Sequence, residues 1–148
     1  MELERYQILT SRNQKVYEFT SVGSKGHVLK RITFSKMTTT NLFNLALGDV
    51  DKETGKVNYD IITNNGDRNK ILATVAASIH TFFSRYPDYA IHLTGNTPSR
   101  TRLYQMAITT YFDELSLDFH ILGKLKGEVL RFQKGVNYEA FFIILKNN

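Results

Sequence analysis

The chain has 148 residues, 42% of them hydrophobic, with 10 Phe and 8 Tyr, which suits one folded domain with a sizeable core and excludes global disorder. It contains no cysteine, so disulfide scaffolds, zinc ribbons and thiol catalysis are excluded together, and 19 basic against 14 acidic residues leave a net charge of +5. There is no basic-then-apolar leader pattern, and the longest apolar run, Ala140–Leu145, is six residues; the expectation is a cytoplasmic protein with no membrane partner, in a single domain over 1–148.

The first sixty residues read as strands. Val16–Thr20 mixes β-branched and aromatic residues, and Val28, Ile32 and Phe34 share one face of a second segment, with Gly23 and Gly26 in the turn between them. Over residues 12–36, Arg12, Lys15, Lys25, Lys30, Arg31 and Lys36 are opposed only by Glu18. With no aromatic spacing of a stacking platform beside them, these charges read as a solvated sheet face or edge strand. Phe43, Leu45 and Leu47 then alternate with Asn44 and Ala46, the segment Asp51-Lys52-Glu53-Thr54-Gly55 turns the chain, and Val57, Tyr59 and Ile61 alternate again as the return of a hairpin. The acids Asp49, Asp51, Glu53 and Asp60 have the oxygen content of a calcium loop, but the glycine falls at the seventh position and the flanks are strands, so a turn is the reading.

A change of period follows. Ile71, Leu72, Val75, Ile79, Phe82, Phe83 and Tyr86 recur at helical spacing and Pro87 ends the run. Asp67, ahead of Arg68 and Lys70, is placed to cap this helix and would repel a phosphate there. Tyr89, Ile91 and Leu93 alternate as a short strand. After Gly95-Asn96-Thr97-Pro98 comes a second helical stripe of Leu103, Tyr104, Ala107, Ile108, Tyr111, Phe112 and Leu115, with Thr97 as cap and Pro98 at the first helical position. Phe119–Leu122, Val129–Phe132 and Tyr138–Leu145 complete the chain as strands. The apolar run in the last of these predicts a strand inside the sheet with both faces covered, Phe142 and Ile144 packing against Leu103, Ala107, Ile108 and Tyr111. The expected fold is α+β: a mostly antiparallel mixed sheet packed with two main helices, in the order β-β-β-β-α-β-α-β-β with one further strand allowed at the end.

The chemistry points to the start of the second helix. Backbone amides there carry partial positive charge, which favours anions, yet the sequence places Arg100 and Arg102 in the first turns beside Thr97, Ser99 and Thr101. A phosphate between them removes the conflict. The candidate ligand-binding residues are therefore Gly95, Asn96, Thr97, Ser99, Arg100 and Arg102, and the expected partner is a phosphate-bearing small molecule or a nucleic-acid backbone. The alternative is that the arginines reach solvent or pair with Asp88 or Asp113. The four histidines, His27, His80, His92 and His120, are dispersed without metal-ligand spacing, and no nucleophile elbow is present; neither a metal site nor hydrolase chemistry is expected.

Two resemblances accompany these readings. The segments VYEFTSVGSKGHVLKRITF, LALGDVDKETG, TNNGDRNKILATVAASI and GNTPSRTRLYQMAIT resemble, over nearly the whole chain, a family of small bacterial proteins whose function is unassigned, which implies a small bacterial cytoplasmic protein and supplies no site residue. The order of elements is also similar to the later part of GNAT-type N-acetyltransferases. That likeness implies coenzyme A at the first helix start and, from NTPSRTRLY, Tyr104 as an acid near the thioester, with Asn96 one residue further from it than is usual there. The chain departs from that pattern in having a single glycine, Gly66, followed by Asp67 where a glycine-rich phosphate loop belongs, and in lacking two early helices between Val16 and Met37. A binding module, such an acyltransferase and a non-catalytic interaction protein are the readings left open.

Overall fold

Antiparallel hairpins account for most of the pairing in the computed structural model, which describes residues 4–38, 40–59, 64–95 and 97–146. In chain order the elements are β1 (Leu9–Thr10), β2 (Val16–Gly23), β3 (Gly26–Lys36), β4 (Leu42–Val50), β5 (Val57–Asn58), α1 (Arg68–Arg85), β6 (Ala90–Leu93), α2 (Pro98–Thr110), α3 (Phe112–Asp118), β7 (Phe119–Leu125), β8 (Glu128–Arg131) and β9 (Ala140–Leu145). The strands follow the order β1-β2-β3-β4-β6-β9-β7-β8, with β5 on β4, so the fold is α+β with an open, mostly antiparallel mixed sheet. The pairing of β4 with β6 is parallel, and the long connection that a parallel pair needs runs through β5 and α1. No described helix is long and apolar enough to cross a membrane.

The chain forms two compact units, Met1–Phe34 with Ala46–Tyr86, and Ser35–Leu45 with Pro87–Asn148. In the first, Gly23 faces Gly26 across a tight turn, and Gly26 takes φ +85°, a conformation that suits glycine. The buried side chains of β2 and β3 alternate as Tyr17, Phe19 and Ser21 against Lys30, Ile32 and Phe34. Helix α1 covers them, with Phe82 stacked on Phe34 at 4.3 Å. The expected stripe of α1 is buried except for half-exposed Tyr86, and Ala73, Thr74, Ala76 and Ser78 are buried as well. The Asp51 loop is a turn, its Oδ1 accepting from the Glu53 and Thr54 amides. Its return strand is shorter than expected, Val57–Asn58, and Ile61 lies outside the described residues.

Two expectations fail in this unit. Lys30 is 2% exposed instead of solvated, because it shares the covered face of β3, and its Nζ meets Asp49 Oδ1 at 2.6 Å. Asp67 occupies the cap position of α1, but its side chain makes no capping bond. Its Oδ2 instead accepts from the Tyr6 hydroxyl and, at 2.5 Å, from the Ser21 hydroxyl. Buried Asn65 completes this network, donating to Ser21 Oγ and Gly26 O and accepting from the Lys25 amide.

In the second unit, β9 lies between β6 and β7, inside the sheet as expected. Only one of its faces is covered. Phe141 is 0% and Ile143 2% exposed, whereas Phe142 is half-buried and Ile144 is 37% exposed. The packing residues are thus Phe141 and Ile143, not Phe142 and Ile144, since side chains alternate across a strand and a uniformly apolar run does not say which parity faces the core. Tyr138 lies 6.0 Å from the Phe141 ring, and its amide donates to Gln105 Oε1 on α2, tying that helix to this face. The second helical stripe is also divided. It breaks at Tyr111 (φ −107°, ψ 19°), giving three helices instead of two. The β-branched pair Thr109-Thr110 weakens the end of α2, while Asp113 and Glu114 suit the first turn of a new helix.

Candidate functional site

The start of α2 is built by a strand-to-helix turn. Thr97 is the cap, its hydroxyl accepting from the Arg100 amide at 3.2 Å, and Pro98 follows with no amide to satisfy. The Gly95 amide donates to Thr101 Oγ1 at 3.0 Å, so the loop is folded back on the helix. This approach is close: a side chain at Gly95 would place its Cβ 2.5 Å from Arg100 Cβ. Asn96 lies outside the described residues.

Of the expected site residues, the structure gathers some and separates others. A pocket of about 460 Å³ is lined by Gly95, Thr97 and Arg102, joined by Thr101, Gln105 and, from the loop before β9, Glu139. Ser99 and Arg100 are not among its lining residues. Arg100 is 4% exposed, on the buried side of α2 with Tyr104 and Ile108. The spacing of those three residues, four apart, is the signal in the sequence that places Arg100 on the covered stripe. Arg102 is exposed and has no hydrogen bond or ion pair among the described residues.

No local signal in the sequence marks residues of the 136–139 loop, because they approach from a distant part of the chain. Gln105 holds them there: its Nε2 donates to Val136 O while its Oε1 accepts from the Tyr138 amide at 2.9 Å. Glu139 Oε1 accepts from the Lys126 amide at 3.0 Å. The pocket therefore offers a guanidinium, a carboxylate and hydroxyls that already serve the backbone. No group of three or more His, Asp or Glu side chains able to hold a metal occurs among the described residues.

Tyr104, for which the acyltransferase resemblance implies an acid role, is 3% exposed. At the first helix start, where that resemblance implies coenzyme A, the Asp67 carboxylate faces Tyr6 and Ser21. Burial, followed by the hydrogen bond to Asp67, raises the Tyr6 phenol above its ordinary pKa, so it stays a donor to that carboxylate.

No curated protein and no solved structure matches the sequence, and the acyltransferase likeness gains no support from either comparison. Residues 2–146 match a family of unknown function, DUF6934, and with nearly the whole chain inside that match the protein belongs to this family.

Proposed function

We propose that the chain is a cytoplasmic binding domain for a phosphate-bearing small molecule, a nucleotide being the chemistry the pocket beside α2 suits best. The observation that carries this reading is Arg102, an exposed guanidinium without a protein partner among the described residues, lining a pocket of about 460 Å³. Pockets of about 300–1,000 Å³ are the usual size for small ligands. In this one Arg102 donates to two phosphate oxygens at once, and the positive end of α2 adds to the attraction. Glu139 lines the same space and accepts hydrogen bonds from ribose hydroxyls or a base amino group.

The test is a titration of isotope-labelled protein with AMP, ATP and inorganic phosphate, repeated on Arg102→Ala and Glu139→Gln. Nucleotides are expected to shift the Gly95, Thr97, Ser99–Gln105 and Tyr138–Glu139 amides. Arg102→Ala should weaken them about tenfold or more, since a charge-assisted hydrogen bond contributes roughly 1.5–3 kcal/mol. Glu139→Gln should weaken the nucleotides and leave inorganic phosphate unchanged. If none of the three anions moves these amides in the wild-type protein, the reading fails.

A further inference from the structure

The second unit presents a sheet face on which the register aligns two rows of side chains. Asn44, His92, Phe142, Leu122 and Arg131 are directly paired across β4, β6, β9, β7 and β8, and Leu42, Ala90, Ile144 and His120 form the neighbouring row. Directly paired residues share a face. None of these nine side chains is buried, in contrast to Phe141 and Ile143 on the opposite face. Lys124, two residues along β7 from Leu122 and therefore on the same face, is exposed too.

The composition of this face is selective. It carries Lys124, Arg131 and two imidazoles, and neither row contains a carboxylate. The side chains of Lys124 and Arg131 form no ion pair among the described residues. At the centre the His92 and Phe142 rings lie 5.3 Å apart, and His92 Nδ1 is 2.9 Å from Asn44 Oδ1, which fixes the imidazole. At one margin a pocket of about 470 Å³ is walled by Phe112, Phe119 and Phe132 and edged by His120, Arg131 and Lys146, again with no carboxylate lining it.

We infer that this face binds a single-stranded polynucleotide, its bases stacked along the row from His92 to Leu122, its phosphates at Lys124 and Arg131, and one base in the adjoining aromatic pocket. Four inter-strand steps of about 4.8 Å give the row a length of about 19 Å, and a four-stranded sheet that binds RNA stacks about two or three bases. Charge argues against a second copy of the chain as occupant, because face-to-face pairing would oppose cation to cation. Rings flanked by cations favour exposed bases over a duplex, whose bases are already stacked, and over an acidic peptide, which supplies charge without aromatic planes.

The test is fluorescence anisotropy with a labelled single-stranded RNA and DNA of the same pyrimidine sequence, the corresponding duplex, and polyglutamate as a bare polyanion. Both single strands are expected to bind at low salt, whichever is preferred, and the duplex and polyglutamate at least tenfold more weakly. Phe142→Ser should weaken binding about 5- to 150-fold, the effect of losing one base–aromatic stack. The double variant Lys124→Glu/Arg131→Glu, at exposed positions, should reduce the salt slope by about 1.4, roughly 0.7 for each single-strand phosphate. Arg85→Glu, which lowers the net charge without altering any residue of this face, should leave the affinity within about twofold. Circular dichroism checks that each variant is folded. Failure of wild type to bind either strand overturns the inference, as does equal affinity for polyglutamate with no effect of Phe142→Ser. So does a set of oligonucleotide-induced amide shifts confined to Gly95, Thr97 and Ser99–Arg102, which would place the strand at the α2 pocket instead.

Discussion

Lys30 shares its face of β3 with Ile32 and Phe34, and its ion pair with Asp49 at 2.6 Å makes an ammonium tolerable there. Asp49→Ala leaves that charge buried and is expected to cost about 3–5 kcal/mol in urea unfolding. The double replacement Lys30→Met/Asp49→Leu, which removes both charges, should come within about 1 kcal/mol of wild type or exceed it. Position 30 has the same parity as Val28, Ile32 and Phe34, so its burial was readable from the alternation; the charge argued the other way and concealed it. Arg100 follows the same logic, four residues before Tyr104 on the covered stripe, and its neighbour Arg102 is the arginine left exposed. His92 makes a separate prediction. Burial first, and then the Lys124 charge, lowers its pKa below the ordinary value near 6.5. The stability that its neutral form contributes is present above that ordinary value and is lost as pH falls through the lowered folded one. An NMR titration should find His92 titrating below a peptide histidine, and Lys124→Ala should move it part of the way back.

At the scale of elements, β9 is the clearest case of what a pattern conveys and what it omits. Six consecutive apolar residues located an interior strand, but their parity was silent, and the covered face proved to be that of Phe141 and Ile143. Phe141→Ala should therefore cost about 3–5 kcal/mol in a denaturant series. Phe142→Ala, at a half-exposed position, should cost far less, and a result in the opposite order would mean that the register is wrong. Helix α1 was legible almost residue for residue, since its stripe and Pro87 stop are local signals. The α2–α3 break was not, because the apolar stripe continues through Tyr111 while the chain bends beneath it. The candidate site was half legible: Gly95, Thr97 and Arg102 are local to one turn, whereas Gln105 and Glu139 meet there only through a hydrogen-bonded loop some thirty residues distant in sequence. Asn65 offers a further check. Its side chain joins the β2–β3 turn to the approach of α1 through Ser21, Gly26 and Lys25, so Asn65→Ala should cost about 1–3 kcal/mol in thermal unfolding.

For the molecule as a whole, the order of strands in space differs from their order along the chain at one decisive point: β9, the last described strand, lies between β6 and β7. Neither of those strands pairs with the other, so each has an open edge until β9 arrives. Truncation before Ala140 should consequently yield a protein that elutes as aggregate in size-exclusion chromatography and shows no cooperative melt, whereas trimming the exposed β8 hairpin, Glu128–Arg131, should leave a folded core. Non-local closure of this kind is also slow compared with helix formation. At an elongation rate of about 5–20 residues per second, the ribosome presents β6 about 2–10 s and β7 about 1–4 s before their common partner emerges. The nascent chain thus passes through a period in which the facing edges of β6 and β7 both stand open as templates for the wrong neighbour.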